Sequence, residues 1–110
     1  MSSSANATLA EALNKLWRQY LPQIEDRVAT LESAAIAFAA GTLSATDRDA
    51  ANSAAHKLAG VLGTFGLDEG TVLAREAEEF YSGRLQALND SPDRLAFIAN
   101  EIRVMIASRK

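Results

Sequence analysis

Hydrophobic residues recur every three or four positions along most of the chain, which is the period of an amphipathic α-helix. The first such stretch begins near Thr8 and reaches Leu21, and a second follows Pro22 and stops near Gly41. Proline disfavours helical dihedrals in the residue before it and fits the first turn of a new helix. We therefore predict two helices with a tight joint at Pro22, with a single kinked helix over residues 8–40 as the alternative.

Three further helices are predicted in the rest of the chain. The first starts at Ser44, which forms with Asp47 a pattern that resembles a capping box, and it runs to about Phe65. The second opens at Asp68, an N-cap candidate. The third starts within Ser91–Asp93, where an N-cap candidate precedes a proline that suits the first helical position.

No segment shows the alternation of apolar and polar residues that is typical of a half-buried strand. Short loops separate the predicted helices. We therefore predict an all-α protein, an antiparallel four-helix bundle with an additional short N-terminal helix. We expect residues 8–108 to form this single domain and residues 1–7 to be a disordered tail.

Composition then narrows the classes of function. The chain has 110 residues, a length that suffices for one domain with one core. Its net charge of −3 gives no indication of a basic surface for nucleic acid. It has no run of about 20 apolar residues, so we expect no membrane span and no membrane partner, and take the cytoplasm as the default location. Because the chain has no cysteine and one histidine, we expect no metal site.

The single histidine, His56, lies in the predicted helix that ends at about Phe65. At about 100° per residue, the apolar side chains of this helix are centred opposite His56, which should therefore face outward. The face around His56 carries only short side chains or none: Asp49, Asn52, Ser53, Ala59, Gly60 and Gly63. Glycine in an exposed helix costs about 1 kcal/mol relative to alanine. We interpret the glycines as a shelf that another surface approaches, with tight packing against a neighbouring helix as the alternative.

The residues around His56 also resemble a known family. The stretch Ala55–Gly60, with Gly63–Gly66 after it, is similar to the histidine-containing phosphotransfer (HPt) domain, including the phosphorylated N-terminal domain of chemotaxis kinases. The family motif is roughly His-x-Leu-Lys-Gly, then five residues, then Gly. Helical order and length agree over about residues 8–108. The matching positions are His56, Leu58, Gly60 and Gly66.

This resemblance implies roles for individual residues. His56 would be the phosphorylated residue, and a count without gaps places Glu78 where the chemotaxis kinases have a Glu that orients the imidazole. The alternative for Glu78 is a solvated charged face. The family lysine is replaced by Ala59 here, which leaves Lys57 and Arg75 as candidates to lie near the phosphoryl group. The implied docking face comprises Asn52, Ser53, Ala59, Gly60, Gly63 and Glu79.

The resemblance also implies a function in two-component signalling. The domain would carry a phosphoryl group between aspartates of receiver domains, or from a kinase, without an ATP or metal site of its own. The partners would be a response-regulator receiver domain, a hybrid histidine kinase or both, and the receiver would supply Mg²⁺. We expect a monomer without cofactor, free-standing or a module of a larger histidine kinase. The competing hypothesis is a helical adaptor or dimerisation module in which His56 is incidental.

Overall fold

The computed structural model describes residues 2–83 and 92–109, with side chains from Thr8 onward. Those residues contain helices and no strand, which confirms the all-α prediction. Ser91, the predicted N-cap of the last helix, lies outside the described residues. The helices are α1 (Ser2–Ala39), α2 (Ala45–Thr64), α3 (Asp68–Ser82) and α4 (Pro92–Ser108).

Helix α1 is one continuous element, and Pro22 lies inside it. The predicted joint at Pro22, and with it the additional short N-terminal helix, is therefore wrong. An interior proline costs about 3 kcal/mol, but the apolar face continues across it, since Trp17 and Ile24 on either side are both buried. The free energy gained by burying that continuous apolar face exceeds the cost of an interior proline. The helical backbone also begins at Ser2, within residues 1–7, which the sequence predicts to be a disordered tail.

The hydrophobic core draws large aliphatic side chains from α1, α2 and α4, and from α3 it draws two alanines and the aromatic side chains of Phe80 and Tyr81. Helix α3 contributes Ala74 and Ala77, whose short side chains let it lie close to its neighbours. In the part of the chain that is described, no helix is long and apolar enough to cross a membrane. The largest fully buried side chains are Ile24, Val28, Leu58, Leu62, Ile98 and Ile102.

Contacts at the two ends of α2 fix its position against α1 and α3. Near its start, the Arg48 guanidinium donates hydrogen bonds to the main-chain oxygens of Tyr81, at 3.0 Å, and Phe80, at 3.3 Å. Just beyond its end, Phe65 packs edge-on against Trp17 of α1, with ring centroids 5.1 Å apart. Both ends of α2 are therefore anchored, and His56 lies on the length between them.

The ends of α2 follow the sequence signals. At its start, the Asp47 amide donates to the Ser44 side-chain oxygen at 3.0 Å, so Ser44 is the predicted N-cap. Gly66 ends it with a φ of 77°, and the Gly66 and Leu67 amides donate back to the last turn. This turn leaves Leu67 at the cap position of α3, so the prediction of Asp68 as N-cap is wrong by one residue.

Candidate functional site

His56 lies on α2 and faces α3 across the seam between the two helices. Its Nδ1 atom is 2.7 Å from Oε2 of Glu78 on α3, although 22 residues separate the two in sequence. The His56 side chain is 73 % exposed and that of Glu78 is 27 % exposed. The contact therefore joins a solvent-accessible imidazole to a carboxylate that is partly enclosed by the helices.

The chemistry of this contact fixes which nitrogen of His56 carries the proton. An ionised carboxylate can only accept hydrogen bonds, so the proton between the two groups belongs to Nδ1 of the imidazole. In the neutral ring the lone pair is then on Nε2, and the carboxylate holds the orientation of the imidazole. The arrangement can present Nε2 as a nucleophile.

Two side-chain hydrogen bonds to the main chain cross the same seam on either side of this contact. Asn52, one turn before His56, donates its amide nitrogen to the Glu78 main-chain oxygen at 2.8 Å. Thr71 donates its hydroxyl to the Ala59 main-chain oxygen at 2.9 Å. The two bonds hold α2 and α3 together before and after the His56–Glu78 pair.

A groove of about 300 Å³ opens beside the histidine. Among the described residues that line it, Arg75 is the only permanent cation, and it lies on the exposed side of α3 one turn before Glu79. Lys57 is also exposed on α2 but does not line the groove. The lining residues are Asn52, His56, Arg75, Glu78, Glu79 and Ser82.

Ala59 is the predicted docking residue that the structure places elsewhere. Its side chain is only 3 % exposed, so the prediction that it belongs to the outer face is wrong. The buried side of α2 extends toward α3 through Ala55 and Ala59, rather than being centred directly opposite His56. Alanines along this edge let α3 approach closely, and close approach buries them.

The two glycines of the predicted shelf differ. Gly60 is exposed, and a Cβ atom built there would meet nothing within 4 Å, so the backbone at Gly60 is open to an approaching surface. A Cβ atom on Gly63 would lie 3.3 Å from the Thr71 hydroxyl oxygen, so Gly63 fits the alternative of tight packing against a neighbouring helix. Ser53, a residue of the predicted docking face, is exposed on α2.

Sequence reasoning does not single out one exposed apolar residue near the site. Val72 is 65 % exposed on α3, one turn before Arg75. Its position on the helical wheel of α3 is 120° from Glu78 by about 100° per residue, away from the buried alanines, and this angle is the signal that could have identified it. Val72 does not line the groove beside His56.

The comparisons with known proteins give one match. A family model described as Hpt domain matches residues 15–108, which include both His56 and Glu78. No curated protein and no solved structure matches the chain. The described residues also contain no group of three or more histidine and carboxylate side chains placed to hold a metal ion.

Proposed function

We propose that His56 carries the phosphoryl group in this chain, which belongs to the Hpt domain family. Membership of that family implies a part in histidine phosphotransfer in two-component signalling. One observation carries this assignment: Nδ1 of the exposed His56 is 2.7 Å from the Glu78 carboxylate. Because Nδ1 is occupied, Nε2 is the nitrogen available to react.

The transfer step follows from that geometry. The lone pair on Nε2 attacks the phosphorus of a phosphoaspartate on a receiver domain, and the bond between phosphorus and the aspartate oxygen breaks. The aspartate leaves as a carboxylate, and the proton on Nδ1 stays in its hydrogen bond with Glu78. The imidazole becomes more positive as the new bond forms, and the Glu78 carboxylate stabilises that charge. In the second transfer, a carboxylate oxygen of another receiver's aspartate attacks the phosphorus, the bond between phosphorus and Nε2 breaks, and the lone pair returns to Nε2.

Members of the Hpt family are phosphotransfer carriers rather than conventional enzymes, and they act with receiver domains and histidine kinases. Phosphoryl transfer depends on positioning and charge stabilisation more than on covalent chemistry from the protein. In this proposal the chain supplies the nucleophile and the docking surface, while the receiver supplies the phosphoaspartate and Mg²⁺. The chain acts as a monomer.

Positive charge for the phosphoryl group comes from Arg75 in this proposal. Arg75 lines the groove beside His56 and Glu78, whereas Lys57 lies outside its lining. The guanidinium can form paired hydrogen bonds with phosphoryl oxygens, which an ammonium cannot. Ala59, at the position of the family lysine, is buried and contributes no charge.

The receiver would dock on the exposed surface around His56. Gly60 leaves the α2 backbone open about one turn after His56, and Ser53 is exposed on α2 about one turn before it. Glu79 extends this surface onto α3. A surface with few bulky side chains suits a transient encounter of modest area, since the partner must bring its aspartate close to the ring.

The arrangement of the helices completes the proposal. We place them in an antiparallel four-helix bundle over residues 8–108. Two contacts support opposite directions for α2 and α3, since Arg48 near the start of α2 bonds Tyr81 near the end of α3, and Ala59 later in α2 bonds Thr71 near the start of α3. A bundle of this kind holds two adjacent helices rigidly enough to keep Glu78 against His56.

The test is label transfer from a phosphorylated cognate receiver domain to the purified protein. Wild-type protein should acquire an acid-labile label, and His56→Gln should acquire none above background, because glutamine retains polarity but has no nucleophilic ring nitrogen. Circular dichroism of both proteins shows whether the variant keeps its helices. Label that persists on a folded His56→Gln variant would contradict the assignment.

A further inference from the structure

Asn52 makes a contact that the transfer step itself does not use. Its side-chain nitrogen donates to the Glu78 main-chain oxygen at 2.8 Å, and this oxygen lies within α3. A main-chain oxygen can only accept, so the Asn52 amide must present its nitrogen to α3. Asn52 is half-buried and precedes His56 by one turn of α2.

Glu78 is consequently bonded to α2 at two points. Its main-chain oxygen accepts from Asn52 at 2.8 Å, and its carboxylate accepts from His56 at 2.7 Å. The two donors are four residues apart, which places them about 6 Å apart along the axis of α2, on one face of the helix. The first bond fixes the backbone from which the Glu78 side chain reaches the imidazole.

We propose that Asn52 is a positioning residue for phosphoryl transfer, which acts through Glu78 by setting the separation and register of α3 against His56. This inference rests on the proposed function of His56. Without the Asn52 bond, the hydrogen bonds that remain between the described residues of α2 and α3, from Arg48 to Phe80 and Tyr81 and from Thr71 to Ala59, do not involve the Glu78 backbone. The Glu78 side chain then reaches an imidazole that is 73 % exposed from a backbone held less directly. The Nδ1–H tautomer then loses part of its preference, and Nε2 is less often the free nitrogen.

A purely structural role predicts something different, and the chain offers a matched comparison. Thr71 makes the same type of bond across the same seam, from its hydroxyl to the Ala59 main-chain oxygen at 2.9 Å, but this bond does not involve Glu78. Thr71→Val removes that hydroxyl with little change in shape. Both Asn52→Ala and Thr71→Val should lower the melting temperature by a few degrees, because each removes one partly buried hydrogen bond.

The first readout is the tautomer of His56. It is the only histidine in the chain, so one imidazole appears in the ¹⁵N spectrum. At a pH where the ring is neutral, wild type and Thr71→Val should show the proton on Nδ1, and Asn52→Ala should show a mixture of both tautomers. Asn52→Asp keeps the size of the side chain but cannot donate to the carbonyl, so it should show the same mixture.

The second readout is the rate of label transfer from a phosphorylated receiver domain. Asn52→Ala should lower it about three- to tenfold, since loss of positioning slows transfer without removing a reacting group. In a Glu78→Ala background, Asn52→Ala should lower the rate by no more than about 1.5-fold, because residues that act through one another are not additive.

Three results would overturn the positioning role: an unchanged tautomer in both Asn52 variants, an equal change in Thr71→Val, or full additivity with Glu78→Ala. The tautomer measurement requires no phosphoryl donor. The positioning role of Asn52 can therefore be contradicted while His56→Gln still abolishes transfer. Conversely, the proposal that His56 carries the phosphoryl group can be contradicted while the tautomer result still supports the role of Asn52.

Discussion

Glu76 and Glu78 stand two residues apart on α3, and each bonds a side chain of a neighbouring helix. Glu76 receives two hydrogen bonds of 2.6 Å from the Arg94 guanidinium of α4. Glu78 is 2.7 Å from one ring nitrogen of His56 on α2. Residue type and helix are the same for the two carboxylates and the contact lengths differ by 0.1 Å, so the difference between them lies in the partner.

The partner decides what each carboxylate can do. The two NH groups that Arg94 directs at Glu76 are both used in a bidentate pair, and a guanidinium stays charged and cannot act as a nucleophile. This pair ties α3 to α4. An imidazole has two nitrogens, and the bond to Glu78 uses only one of them. A carboxylate therefore becomes part of a reactive site when its partner keeps a second reactive atom.

The largest effect that separates the two pairs is expected in phosphoryl transfer. Glu78→Ala should lower the rate of label transfer to His56 about 10- to 100-fold, which is the effect usual for removing the group that orients a functional histidine. Glu76→Ala removes the same atoms from the same helix and should leave the rate within about twofold of wild type, because Glu76 lies away from the groove.

Rates are to be compared at a temperature where both variants are fully folded by circular dichroism. Equal losses in Glu76→Ala and Glu78→Ala would indicate that transfer follows the integrity of α3 rather than the contact with His56. An unchanged rate in Glu78→Ala would remove Glu78 from the mechanism.

The smallest effect is expected in the free energy of unfolding, and it concerns the ion pair between Glu76 and Arg94. Hydrogen bonds and charge from Arg94 hold the pKa of Glu76 below its ordinary value of 4.5. A depressed folded-state pKa contributes stability above pH 4.5, and that contribution is lost as the pH falls through the folded-state pKa. Both side chains are more than a third exposed, so screening limits the pair to less than about 1 kcal/mol.

Glu76→Gln should accordingly lower the free energy of unfolding at pH 7 by up to about 1 kcal/mol, and the difference from wild type should shrink at pH 3. Urea denaturation at the two pH values measures it. Glu11→Gln serves as the control, since Glu11 is exposed and forms no ion pair within the described part of α1. A difference that grows toward low pH would contradict this reading of the pair.

Much of the fold could be predicted because local signals determine it. The N-cap at Ser44 and the stop at Gly66 follow from side-chain chemistry and backbone freedom within a few residues. Pro22 could not be placed in this way. Whether a proline ends a helix depends on what the residues on both sides bury, and that requires the tertiary structure.

In the candidate site, too, the features that depend on local signals could be predicted and those that depend on tertiary packing could not. The outward direction of His56 follows from the periodicity of α2 alone, and its side chain is indeed exposed. The burial of Ala59, and the small space that Thr71 would leave for a Cβ atom on Gly63, depend on how closely α3 approaches, which the helical wheel of α2 does not show. Glu78 could be named from the sequence only through the family resemblance, and the register between α2 and α3 is what brings its carboxylate to 2.7 Å from the imidazole.

The central claim is that the Glu78 bond leaves Nε2 of His56 as the reacting nitrogen. The most direct test is to phosphorylate ¹⁵N-labelled protein with a phosphorylated receiver domain and to identify the nitrogen that couples to ³¹P. With a single histidine in the chain, the assignment is unambiguous. We predict phosphorus on Nε2 with the proton retained on Nδ1. Phosphorus on Nδ1, or on a residue other than His56, would contradict the account.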